Sequence, residues 1–125
     1  MSKIFVFLLM LFFHVLDDFV LQKMGCLAFL KQREYWEKEA PDEKYKNDYK
    51  VALLAHSISW AFMIMLPVFM YKGFNVDINL LLLFAVHVGI HYFVDNEKAN
   101  HKSINLVKDQ FLHLLQIITI FFVTI

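Results

Sequence analysis

Apolar residues gather in four stretches, 4–22, 51–71, 78–96 and 104–125, with polar residues collected between them. Each stretch has about twenty residues, the length a helix needs to cross a hydrocarbon layer of about 30 Å. A helix satisfies its own backbone groups, so it is the natural spanning element. Nothing alternates with period two over the length of a barrel strand, so a closed barrel is not expected. The pattern predicts an all-α polytopic membrane protein, one domain over 1–125, built as an antiparallel bundle of four transmembrane helices. Pro67 is expected to kink the second span near its far end.

The connections differ in kind. Loop 23–50 is long and charged. Its first part, 24–39, reads as an interfacial amphipathic helix carrying Leu27, Leu30, Tyr35 and Trp36, ended by Ala40-Pro41-Asp42. Segment 72–77 reads as a tight turn with Gly73 and Asn75, and 97–103 as a short polar turn.

Composition supports this reading: the chain is 59% hydrophobic with 14 Phe, more than a single soluble core uses. Zero net charge gives no basic excess for nucleic acid, and a single cysteine, Cys26, excludes an internal disulfide. Lys3 and the apolar run after it resemble the start of a signal peptide, but Asp17 and Asp18 stand where small residues should mark cleavage, so no cleavage is expected. Of twelve Lys and Arg, all but Lys3 and Lys72 belong to the first and third loops and the helix ends beside them. That bias predicts that 23–50 and 97–103 are cytoplasmic and both termini outside.

The chemistry lies in what interrupts the apolar stretches. Their acidic and imidazole interruptions are His14, Asp17, Asp18, His56, His87, His91, Asp95, Asp109 and His113, with no Lys, Arg or Glu among them. Ionisable groups in such surroundings are costly and usually functional. At about 1.5 Å rise per residue, His14, Asp18, His56, His91, Asp95, Asp109 and His113 lie within roughly two turns of the same face. His14/Asp18, His87/His91, His91/Asp95 and Asp109/His113 are i, i+4 pairs, each on one helical face. Four helices thereby deliver imidazoles and carboxylates to one layer, the way soluble bundles assemble two-metal sites.

The expected ligands are His14, Asp18, His56, His87, His91, Asp95, Asp109 and His113. The expected cofactor is a divalent metal, zinc before manganese or iron because the donors are N and O without thiolate, and two ions rather than one. A lone His in an apolar helix is more often a hydrogen-bonded core residue, and one His/Asp pair is as readily an intrahelical bond. Carboxylates buried without cations, however, would cost several kcal/mol each, and divalent ions neutralise them. His87, one turn deeper, is either a further ligand or packing. Asp17, about 100° around the helix from Asp18, is expected behind the ligands, paired with Lys98 or Lys108 or capping a loop. Gln22 and Gln110 are expected to orient ligands or face headgroups, and Lys98 and Lys108 to bind an anionic headgroup, with Lys108 snorkelling. Ser57 and Ser59 read as helix packing, His101 as solvated and Cys26 as inert. The charges of loop one read as a solvated face.

The ordered motifs His14-x-x-x-Asp18-Phe19-x-x-Gln22, His56, His91-x-x-x-Asp95-x-x-Lys98-Ala99 and Asp109-Gln110-x-x-His113 resemble a family of small bacterial and phage membrane proteins, a domain of unknown function. The likeness spans nearly the whole chain except 31–50. A weaker resemblance is to membrane-bound metal-dependent hydrolases, which also array His and Asp on several spans, and it implies hydrolysis.

Three functions follow as expectations. The first is a hydrolase of a lipid headgroup or another amphipathic phosphate or ester, with Asp18, Asp95 and Asp109 as its catalytic carboxylates. The second is a non-enzymatic protein with a structural metal that binds a host or membrane partner. The third is a haem or proton-pathway protein, and three carboxylates at one depth argue against haem. A holin-like pore former would not need the layered His/Asp set. Four short spans are compatible with a homo-oligomer, although no small-x-x-x-small seam marks an interface.

Overall fold

The computed structural model describes residues 1–125. It is all-helical, with α1 (Lys3–Leu16), α2 (Gln22–Met24), α3 (Leu27–Leu30), α4 (Arg33–Glu39), α5 (Asp48–Tyr71), α6 (Ile78–Asn96) and α7 (Leu106–Thr124). A π-turn, Asp17–Leu21, joins α1 to α2, and a second, Glu97–His101, continues α6. A short 3-10 turn, Glu43–Tyr45, precedes α5. Lys3–Met24, Glu43–Tyr71, Ile78–His101 and Leu106–Thr124 are each long and apolar enough to cross a membrane.

Local chemistry accounts for the helix starts. Ser2 caps α1 by accepting from the Phe5 amide at 3.2 Å. Asp77 caps α6 through the Leu80 amide at 2.8 Å, and Asn105 caps α7 through the Lys108 amide at 3.0 Å. Each satisfies an amide that the first turn leaves free. After α5, Gly73 takes φ +64° with open space beside it, and Phe74 follows at φ 59°. Two left-handed residues in succession reverse the chain into α6. The α5 helix is continuous through the buried Pro67 to Tyr71.

Two expectations need revision. The interfacial helix is not one segment: Cys26, at φ 61°, breaks it from α2, and it divides into α3 and α4 around Lys31 and Gln32. The polar turn after α6 is mostly helical, because the Glu97–His101 π-turn carries the helix on to Lys102, at φ 56°. Lys102 also holds Glu34 of α4 at 2.6 Å, and this contact keeps the Glu34 carboxyl below its usual range. The contact is complete above that range and is lost as pH falls through the lowered value.

The bundle is apolar without and mixed within. Eleven of its 25 buried residues are polar or charged, side chains seldom fully buried in a water-soluble domain. Phe5, Leu8, Phe12, Phe93, Phe111 and Phe122 are all more than half exposed. Interior packing divides by height. Val6, Met10, Ile64, Met65, Val68, Leu80, Ile117 and Ile120 pack as an apolar cluster toward the chain termini. Above it, toward the long loop, lie the His and Asp residues, with Trp60 at the boundary.

Candidate metal centre

Each long helix supplies part of the polar layer. The end of α1 brings His14, and the π-turn after it brings Asp17 and Asp18. An ideal helix would set adjacent residues about 100° apart. The wider π-turn, a feature common at functional sites, brings both carboxylates inward; Asp17 is 1% exposed, and the Asp18 side chain 7%. From α5 come His56, Ser59 and Trp60; from α6, His87, His91 and Asp95; from α7, Asp109, Gln110, His113 and Gln116.

Two imidazole nitrogens organise the centre. His56 Nε2 is 3.2 Å from His91 Nε2, 3.2 Å from Asp95 Oδ2 and 3.5 Å from Asp18 Oδ1. His113 Nε2 is 3.2 Å from Asp95 Oδ1, 3.3 Å from Asp109 Oδ1 and 3.9 Å from Asp18 Oδ2. Donors bonded to one tetrahedral zinc at 2.0–2.1 Å sit about 3.3 Å apart, so the shorter of these separations are those of a coordination shell. Two triads meet the requirement for a shared ion: Asp18, His56 and His91; and His91, Asp95 and His113. They overlap at His91. Asp95 turns one oxygen to His56 and the other to His113, as a bridging carboxylate would.

The polar atoms around the triads are only partly satisfied. Asp18 Oδ1, Asp109 Oδ1, His91 Nδ1 and both His113 ring nitrogens are buried without a hydrogen-bond partner. One imidazole N–H cannot serve three carboxylate oxygens at once, so His113 Nε2 faces more acceptors than it can satisfy. Charge points the same way. Four carboxylates, Asp17, Asp18, Asp95 and Asp109, meet two ammonium groups, Lys31 and Lys98. The two positive charges still unmatched are the charge of one divalent ion, or of two protonated imidazoles among those that face the carboxylates. The donor set, its orphaned atoms and its charge therefore fit a divalent metal.

Several residues sit elsewhere than the sequence indicated. His14 is outside both triads. Its Nδ1 accepts from the Trp60 indole N–H at 2.9 Å, and its Nε2 lies 2.9 Å from Gln110 Oε1. With both nitrogens occupied, it is a neutral brace between α1, α5 and α7. His87 is also outside, bonded through Nδ1 to Gln116 Oε1 at 3.2 Å. Replacing His87 with leucine is expected to leave the metal content of purified protein unchanged; loss of metal from that variant would put His87 in the shell. Asp17 pairs with neither Lys98 nor Lys108. It accepts from Ser59 Oγ at 2.6 Å and lies 3.6 Å from His56 Nδ1, where it can fix that ring's orientation from behind. Ser59 is thus more than a packing residue, while Ser57 bonds back to the Leu53 carbonyl.

Two lysines fold in from beyond the apolar stretches and reach the carboxylates. Lys31 Nζ contacts Asp95 Oδ2 at 2.5 Å and Gln22 Oε1 at 2.7 Å. Lys98 Nζ contacts Asp109 Oδ2 at 2.5 Å. Lys108 is exposed. Gln110 Nε2 donates to Asp18 Oδ2 and to Asp109 Oδ2, each at 3.1 Å, so it aligns two carboxylates. Trp60 went unremarked in the sequence, yet it stacks on His91 with centroids 4.2 Å apart. Hydropathy gave no signal for Lys31 or Trp60.

None of the five principal cavities is lined by a residue of either triad. The His91 and His113 rings stack at 4.2 Å, which leaves no slot for a porphyrin between them. Below the layer lies the apolar cluster. Comparison of the chain with protein-family models, with curated proteins and with solved structures finds no match.

Proposed function

We propose that this is an integral membrane metalloprotein whose buried centre binds divalent ions and hydrolyses a phosphate or ester at the membrane boundary. One observation carries the reading: imidazole and carboxylate donors from four helices converge at separations of 3.2–3.5 Å. The buried polar layer and the apolar exterior support the membrane setting, and the loop lysines support a cytoplasmic position for the centre. Nitrogen and oxygen donors favour zinc, with manganese or iron as substitutes.

In this reading Asp18, His56 and His91 would hold one ion and His91, Asp95 and His113 a second, with Asp109 beside His113. Bound ions would supply an ionised water near neutral pH and polarise the scissile group. Lys98, whose side chain is 27% exposed, stands at the rim where an anionic headgroup would arrive. Gln110 holds Asp18 and Asp109 in place; of the two, Asp109 lies outside both triads and has Oδ1 free of hydrogen bonds, so it is the carboxylate left to take a proton. Trp60 and the apolar cluster beneath it keep water from the far side.

A second reading has its own support. None of the five principal cavities is lined by a triad residue, as befits a structural metal holding the four helices together. Elemental analysis of detergent-purified protein, followed by a screen of lipids and phosphoesters, separates the two. Stoichiometric zinc with hydrolysis supports the enzyme; zinc without hydrolysis supports the staple. Absence of any bound divalent metal would refute both.

A further inference from the structure

Lys31 is the one charged side chain of the long loop that the fold takes inside, at 3% exposure. It is carried by a strap made of α3 and α4, and neither helix has a fully buried residue. Polar contacts do most of the fastening. Lys31 Nζ holds Asp95 Oδ2 and Gln22 Oε1. Asn100 Nδ2 donates to the Lys31 carbonyl at 3.1 Å, and its Oδ1 accepts from the Arg33 amide at 2.6 Å. Lys102 holds Glu34. At its ends lie Cys26, a non-glycine residue at φ 61°, and the break at Ala40-Pro41. A segment with few buried apolar contacts and polar fastenings opens more readily than the helices beneath it.

We propose that Lys31 is an internal cation that competes with the divalent ion for Asp95, and that the strap carrying it covers the centre and is released when the ion binds. The inference rests on the metal-centre reading above and explains how a closed centre gains access. Asp95 Oδ2 is the atom in dispute: it lies 3.2 Å from His56 Nε2, a donor of the first triad, and 2.5 Å from Lys31 Nζ, while Oδ1 is the oxygen turned to His91 and His113 of the second. An ion bonded to that oxygen withdraws electron density from it and repels the ammonium beside it. Asp95 has no third oxygen to offer, because Oδ1 faces His113. Linkage makes the effect mutual: whatever factor the docked strap takes from metal affinity, bound metal takes from strap docking.

The test is a zinc titration of chelator-stripped protein in lipid nanodiscs. Zinc affinity is read by competition with a chromogenic chelator and strap opening by amide hydrogen exchange. Exchange across the strap is expected to rise about tenfold on zinc binding, within the usual range of coupling between sites. Lys31→Met is expected to bind zinc about tenfold more tightly, with fast strap exchange whether or not zinc is present. Asn100→Ala loosens the strap without touching a donor and is expected to tighten zinc binding as well; it decides the matter if Lys31→Met does not fold. Strap exchange that stays constant or slows with zinc, or variants that bind zinc no better than the parent, would overturn the inference alone. Failure of parent and variants alike to bind zinc would overturn the metal centre itself.

Discussion

Alanine at Asp95 or at His113 is expected to weaken divalent-ion binding more than about 100-fold, since loss of groups that merely support a ligand already costs 10–100-fold. Asp95 is the larger case, because both its oxygens are used. One lies 3.2 Å from His56 Nε2 and the other 3.2 Å from His113 Nε2, so one substitution removes a donor from each side of the centre. It also strands Lys31, whose ammonium would stay buried without its carboxylate. Breaking a buried pair from one side costs about 3–5 kcal/mol. Asp95→Asn keeps the shape and an acceptor for Lys31, so it separates loss of metal from loss of fold. His113→Ala leaves three carboxylate oxygens facing a gap, and no neighbouring imidazole replaces Nε2. Elemental analysis and a zinc-competition assay give the binding; circular dichroism in detergent reports the fold. Full metal retention in both alanine variants would exclude the proposed shell.

Trp60→Ala is expected to lower bundle stability by about 3–5 kcal/mol, the range for truncating a buried aromatic. Trp60 is fully buried. It stacks on His91 at 18° between planes, lies 5.4 Å from the His113 ring and donates to His14 Nδ1. Truncation therefore opens a cavity under two proposed ligands and leaves the His14 nitrogen without a donor. Trp60→Phe retains much of the packing and deletes only the N–H, so a loss of about 1–3 kcal/mol is expected, the cost of an unpaired buried acceptor. Unfolding in mixed micelles, followed by circular dichroism, measures both. Equal stability of Trp60→Ala and parent would show that the ring does not support the polar layer.

The spaced pairs were the legible part of the site. His91/Asp95 and Asp109/His113 lie where an i, i+4 spacing puts them, and His56 reaches them from the antiparallel neighbour. The same spacing did not distinguish His14 and His87, which have the right residue type and height but bond to Trp60, Gln110 and Gln116 instead. Periodicity gives the face of a helix; it does not say which atom on a neighbour occupies a ring nitrogen. Asp17 was legible as a residue behind the ligands, but its partners were not. A π-turn changes the angle between successive side chains, and Ser59 was within reach only after α1 had packed on α5. Lys31 was the least legible. It follows the apolar run Leu27-Ala28-Phe29-Leu30, whereas Lys38 and Lys44 stand beside acidic residues, but that difference does not say that the break between α3 and α4 turns it inward.

Hydropathy and spacing by themselves determined the four long helices, their antiparallel order and the height at which imidazoles and carboxylates collect. Those properties depend on what a residue is and how far along one helix it stands. Tertiary structure decided which nitrogens face carboxylates, which are already bonded, and that two lysines from beyond the apolar stretches neutralise half of the buried negative charge. These depend on the rotation of one helix against another and on the path of a connecting strap, both set by packing between segments distant in the chain.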